Sequence, residues 1–256
     1  MEYRWVSVGS PQSRIQFGTE GDDAWPVWDR YILLDGKRAY RIGNICNTCS
    51  FLFERMDGAN DRVDVKDAAA ALQSGLHSVS ESIVDRIAEA LPEDDYLVFL
   101  VEILPQLVRP GQPGDYFCQE HIALWGLDSF YGLPHNPRVP YYRAGEQDLG
   151  NGARKFEFLV PMFPDRWLDW NSVRRYKDLL ASGTLPTAVA LSVLDVKGPA
   201  EAYNQVVEHW CLAHYLLDGH HKVFAAAESG HSVQLLAFVS CSKGISSREQ
   251  VARILE

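Results

Sequence analysis

The chain has 256 residues, 46% hydrophobic and 23% charged, with a formal net charge of −10. That length accommodates one large domain or two modest ones, each with its own core, and the composition is ordinary for a globular protein. The acidic balance argues against nucleic acid as a partner, since holding a phosphate backbone takes a concentrated basic surface.

The run "RRYKD" at 174–178 is too short to supply such a surface and reads as a solvated helix face. No apolar stretch approaches the roughly 20 residues of a membrane span. The N-terminus has no uninterrupted apolar segment and no small-residue cleavage site. A cytoplasmic, reducing setting without membrane association is the expectation. Cys46, Cys49, Cys118, Cys211 and Cys241 make an odd count, which argues against a disulfide framework.

In chain order, the first 60 or so residues alternate like strands, in "YRWVSV", "SRIQFG", "DRYILLDGKRAYRIG" and "SFLFERM". Asp35-Gly36 lies between apolar runs and suits the positive φ angles of a primed hairpin turn. From Asp64 to Leu91 the period lengthens. Val65, Ala69, Leu72, Leu76, Val79, Ile83, Ile87 and Leu91 mark one helical face. Gly75 divides it as a left-handed C-cap, and Ser78 with Glu81 predicts a capping box opening a second helix. "DYLVFLVEILPQLV" at 95–108 fits a buried strand or a short helix, and periodicity does not choose between them.

Residues 109–155 are rich in Pro, Gly and aromatics and read as a long connection. Regular elements resume with a strand in "KFEFLVPMF". A helix follows in "DWNSVRRYKDLLASG", started at Asp169 or Asn171 and closed by Gly183. Next come a strand in "LPTAVALSVLDV", a strand ending "AHYLL", a turn and helix in "DGHHKVFAAAESG", and a strand in "SVQLLAFVS". The expected fold class is α+β: a β-rich and helical part over 1–108, the connection over 109–155, and a compact α/β module over 156–256.

Chemistry concentrates at "DGHHK", residues 218–222. A strand that turns directly into a helix aims the helix's first N–H groups and the positive end of its dipole at one point, which favours an anion. Gly219 admits close approach, and His220, His221 and Lys222 supply side-chain donors. Asp218 brings a carboxylate able to orient a hydroxyl, accept its proton or hold a metal. The same residues also fit an ordinary Asp-Gly turn, with Asp218 capping the helix and the histidines on the surface.

The segment from about 157 to 240 resembles the ParB/sulfiredoxin-like superfamily. The likeness is carried by "FLVPMFPDRW", "SVRRYKDLLASGTLPTAVAL" and "YLLDGHHKVFAAAESG". It implies a nucleotide tri- or diphosphate, with Mg, bound at residues 219–222, and a small-molecule substrate. The turn is most similar to that of free serine kinases, Asp-Gly-His-His-Arg, which puts their catalytic carboxylate on Asp218. Lys222 stands where Arg is usual, keeping the charge but not the planar fork. Their second acidic residue lies near the first strand, where Asp165 and Asp169 stand without aligning to it. Sulfiredoxins need cysteine where this chain has His220, and partitioning proteins carry a helix-turn-helix after the module. The resemblance therefore implies nucleotide binding with phosphoryl transfer to a small hydroxyl compound. The alternative is a non-catalytic nucleotide-sensing or protein-interaction module.

Two further spacings bear on metal. Cys46 and Cys49 stand at C-x-x-C, and Cys118 and His121 at C-x-x-H. Together they offer the thiolate and imidazole ligands of a tetrahedral zinc site; otherwise they are two half-buried pairs in a core. A thioredoxin-type pair would need Cys46 at a helix N-terminus, whereas it follows a predicted strand. His209 and His214 read as structural or surface residues, and Trp167, Trp170 and Tyr176 as core.

Overall fold

The computed structural model describes residues 2–8, 12–60, 68–127, 137–199 and 206–256. The fold is α+β and centres on an eight-stranded mixed sheet. Its strands in chain order are β1 (Tyr3–Val8), β6 (Asp94–Ile103), β7 (Gln106–Val108), β8 (Tyr141–Gly150), β9 (Ala153–Pro161), β10 (Thr187–Lys197), β11 (Glu208–Asp218) and β12 (Val233–Ser240). Their spatial order is β1-β6-β12-β10-β11-β9-β8-β7. The β10–β12 and β11–β9 pairs are parallel and the other neighbours antiparallel. A second sheet runs β2 (Ile15–Glu20), β3 (Asp29–Leu34), β4 (Lys37–Asn44), β5 (Glu54–Arg55).

The unbroken apolar runs of β10 and β11 have a simple cause: both faces of the large sheet are covered. Along β10, Ala188, Ala190, Leu194 and Val196 pack on one face, and Val189, Leu191 and Val193 on the other. In β11, Trp210, Leu212 and Leu216 alternate in the same way with Cys211, Ala213, Tyr215 and Leu217. The first face carries α4 (Trp170–Ala181), α5 (His220–Ser229) and α6 (Arg248–Arg253). The second carries the small sheet, α1 (Ala69–Ser74), α2 (Glu81–Ala88) and an aromatic cluster around Phe51, Phe53, Tyr116 and Phe117.

Asp35 and Gly36 join β3 to β4 with φ of 50° and 74°, the primed turn expected from the pair. Gly75 follows α1 at φ 92°. Leu72, Leu76, Val79, Ile83, Ile87 and Leu91 are buried, while Ala69 is exposed and Val65 lies outside the described residues. The helix after Gly75 starts later than predicted. Ser80, not Ser78, is the N-cap of α2, and no side-chain cap forms there. The 95–108 segment is strand, divided into β6 and β7.

The boundaries drawn at 108 and 155 do not coincide with sheet boundaries. β6 pairs β12 along the whole of β12, and β1 pairs β6, so the N-terminal region contributes strands to the C-terminal module's sheet. The expected connection holds a 3-10 turn at Tyr116–Cys118, α3 (Glu120–Trp125), all of β8 and the start of β9. No helix is long and apolar enough to cross a membrane among the described residues.

Candidate functional site

The turn sits where β11 meets α5. Asp169 caps α4, accepting the N–H groups of Asn171 and Ser172; Ser182 and Gly183 end that helix, Gly183 at φ 85°. Helix α4 then lies beside α5 on one face of the sheet. Gly219 is the N-cap of α5, at φ 97°, and Gly230 closes the helix at φ 66°. Glycine is required at 219 for a packing reason beyond its φ. A Cβ there would stand 2.6 Å from the Ala188 Cβ and 2.8 Å from its Cα. The glycine thus permits a close approach between α5 and β10.

The side chains of the turn face inward more than expected. His220 is buried; its Nε2 accepts the Met162 N–H at 2.9 Å and its ring stacks on Phe163, with centroids 3.8 Å apart. The Nε2 of His221 accepts the Asp169 N–H at 2.9 Å, tying α5 to the start of α4. Each acceptor nitrogen requires the imidazole proton elsewhere. Through Nε2 both histidines clasp α5 to neighbouring segments of the chain.

Lys222 is also turned in. Its side chain is 4% exposed, and the ammonium donates to the Thr187 carbonyl at 2.8 Å and to Asp218 Oδ2 at 2.6 Å. Burial pushes its pKa down, and the Asp218 carboxylate opposes that shift. Thr187 in turn joins the N-terminal region to the turn: the Leu76 N–H donates to Thr187 Oγ1 at 3.0 Å, and Gln234 brackets both. Lys222 accordingly ties Asp218 to β10. Asp218 is one-third exposed and faces the rim.

One residue at the rim was missed. Arg175 is exposed on α4, its guanidinium 5.1 Å from the Tyr176 ring centre, and the Lys222 ammonium lies 6.0 Å from that same ring. Its neighbour Tyr176 is buried at helical spacing, whereas Trp170 is exposed. The "RRYKD" run gave no sign that one of its cations would stand beside the turn. A void of about 10 Å³ lined in part by Phe163, Asp165 and His220 lies near the turn.

The lysine gives a direct test of this placement. Lys222→Met keeps the methylenes and removes the ammonium. It should lower folding stability by about 2 kcal/mol, from lost charged hydrogen bonds, discounted because Asp218 regains water. Chemical denaturation measures it, and an unchanged midpoint would contradict an inward-facing Lys222.

The residues assigned to zinc are not assembled as ligands. Cys46 and Cys49 are joined as a disulfide, which removes both thiolates. Cys118 donates to Asp115 Oδ2 at 3.3 Å, and burial pushes its thiol pKa up. His121 is buried among Tyr116, Phe117 and Trp125. The single local disulfide was itself not anticipated from the odd cysteine count.

His209 and His214 are buried structural residues. Nδ1 of His209 meets the Tyr116 hydroxyl at 2.7 Å, and that of His214 meets Ser192 Oγ at 2.7 Å. Burial lowers their pKa values to about 3 and about 4, keeping both rings neutral.

No family model matches the chain, and no curated protein or solved structure does either.

Proposed function

We propose that the 218–222 turn binds the phosphates of a nucleotide, and that Asp218 serves phosphoryl transfer to a small hydroxyl compound. The observation that carries this reading is the junction itself. A ten-residue helix begins immediately after a rim carboxylate, with an N-cap that has no side chain. Its positive end favours an anion, and the Arg175 guanidinium adds a planar donor on the same rim. Lys222 occupies Asp218 Oδ2, which leaves Oδ1 for a hydroxyl or for the Mg²⁺ of a nucleotide. In the transfer, the substrate hydroxyl oxygen attacks the terminal phosphorus as its proton passes to Asp218. The bond to the bridging oxygen breaks, and the shortened nucleotide leaves.

A panel of ATP, ADP, CTP and GTP with Mg²⁺ in a thermal-shift assay tests the binding step. A ligand at a hundredfold excess over its Kd stabilises the fold by about 2.7 kcal/mol. Arg175→Ala should weaken the hit about tenfold, corresponding to roughly 1.4 kcal/mol. Asp218→Asn should bind within about twofold of the parent while losing transfer, because it keeps the shape and removes the base. No shift with any of the four nucleotides would remove the proposal.

A second reading has its own support: His220, His221 and Lys222 each bond to backbone of a neighbouring segment. On that reading the turn is a clasp and the scaffold serves a protein interaction without turnover. It expects no nucleotide shift, and Asp218→Asn should then act through stability alone, by removing the charge opposite the buried Lys222 ammonium.

A further inference from the structure

We infer that Cys46 and Cys49 form a redox-active dithiol/disulfide pair, with Cys46 as the attacking sulfur, acting on a disulfide substrate by thiol–disulfide exchange. The two residues lie in the loop after β4, half-buried, and the other three cysteines are free.

The loop is held without the disulfide. The Lys197 ammonium donates to the Cys46 carbonyl at 2.5 Å, the Gly198 N–H to the Asn47 carbonyl at 3.0 Å, and the Trp125 indole to the Thr48 carbonyl at 3.1 Å. Asn44 Oδ1 also accepts the Cys46 N–H at 3.1 Å. A cross-link stabilises mainly by closing a long loop in the unfolded chain, and this one spans a sequence separation of 3. A staple is therefore of least use here, and reduction leaves the loop's anchors intact.

Asymmetry between the sulfurs assigns the roles. The Cys49 N–H donates to Cys46 Sγ at 3.1 Å, and the Thr48 hydroxyl lies 3.3 Å from the same atom. Both donors remain after reduction to hold negative charge on Cys46, and the buried Lys197 cation stands at that residue's carbonyl. Donors of this kind favour thiolate over thiol. No helix begins at Cys46, so the donors are those of the loop itself. A cavity of about 480 Å³, lined by Asn47, Thr48 and Gln250 among others, opens beside the loop.

The exchange balances within the pair. The Cys46 thiolate attacks one sulfur of the substrate disulfide; a Cys46–substrate bond forms, and the other sulfur leaves as a thiolate and takes a proton. Cys49 then attacks Cys46 Sγ, restoring the intramolecular bond and expelling the second substrate thiolate. Two electrons and the protons of two thiols pass to the substrate, and the reverse sequence oxidises a dithiol.

The test equilibrates the full-length chain in glutathione redox buffers and reads Cys46 and Cys49 by differential alkylation and peptide mass spectrometry. The expected result is a two-electron transition within the buffered range, with the thermal midpoint nearly unchanged on reduction. In Cys49→Ser, Cys46 should be alkylated on the order of tenfold faster than Cys49 in Cys46→Ser. Oxidised glutathione should trap a mixed disulfide in Cys49→Ser and not in Cys46→Ser. With insulin as probe, precipitation by the reduced chain would mark protein disulfides as the substrate; turnover of oxidised glutathione alone would mark small disulfides. A bond that stays closed throughout the range, a pair that never closes, or a fold lost on reduction would overturn the inference.

Discussion

Asp195→Ala should lower folding stability by about 3–5 kcal/mol, the loss that follows when one partner of a buried ion pair is removed. Asp195 is 1% exposed on β10 and takes two bonds from the Arg30 guanidinium of β3, at 3.0 and 2.7 Å. It also accepts the Ile245 N–H at 2.9 Å. Arg30 donates in addition to the Ile42 and Lys243 carbonyls, so one guanidinium ties the small sheet, the large sheet and the segment after β12 together. Removing the carboxylate leaves the buried Arg30 and Lys197 cations facing a site without their anion. Urea denaturation should show the loss as a lower midpoint. The double change Arg30→Met with Asp195→Leu should recover most of it, because neither charge then remains buried. A single variant within about 1 kcal/mol of the parent would contradict the pair's role as the junction between sheets.

Gly219→Ala should be the most damaging change in the turn, at about 3 kcal/mol. A left-handed conformation costs a non-glycine residue about 1–2 kcal/mol, and overpacking against a filled neighbour adds about 1–3 kcal/mol. The added methyl would meet both the backbone and the methyl group of Ala188, which belongs to the sheet and has nowhere to move. Ala188→Gly in the same chain should restore only part of the loss, since the clash with the backbone of residue 188 and the φ of 97° persist. Thermal unfolding of the two variants separates these contributions. Equal midpoints for Gly219→Ala and the parent would contradict the close packing of α5 on β10.

Local signals in the sequence translated well where a residue's own backbone preference decides the outcome. Asp35-Gly36 makes the primed turn, Asp169 caps α4, and the apolar runs of β10, β11 and β12 are buried strands. Helix α6 had a legible signature that went unread: Ser247 and Gln250 form a reciprocal capping box.

What periodicity does not carry is pairing. The large sheet joins β6 to β12, with Leu100 opposite Leu236, and nothing in either strand's pattern names its partner. Side-chain direction at the turn was hidden for the same reason. Whether Lys222 faces a ligand or the Thr187 carbonyl depends on β10, far away in the chain. Arg175 approaches the turn only because α4 packs on α5. The disulfide between Cys46 and Cys49 and a zinc site share one spacing, so the chemistry of that pair was ambiguous until the loop was folded.

The most direct measurement of phosphate binding at the turn is amide NMR of the isotope-labelled chain titrated with ADP and Mg²⁺. The N–H groups of Gly219, His220, His221 and Lys222 should show the largest shifts, saturating together, and the shifts should shrink at equal ligand concentration in Arg175→Ala. Shifts that gather elsewhere, or none at nucleotide concentrations in the millimolar range typical of weak ligands, would contradict binding at the start of α5.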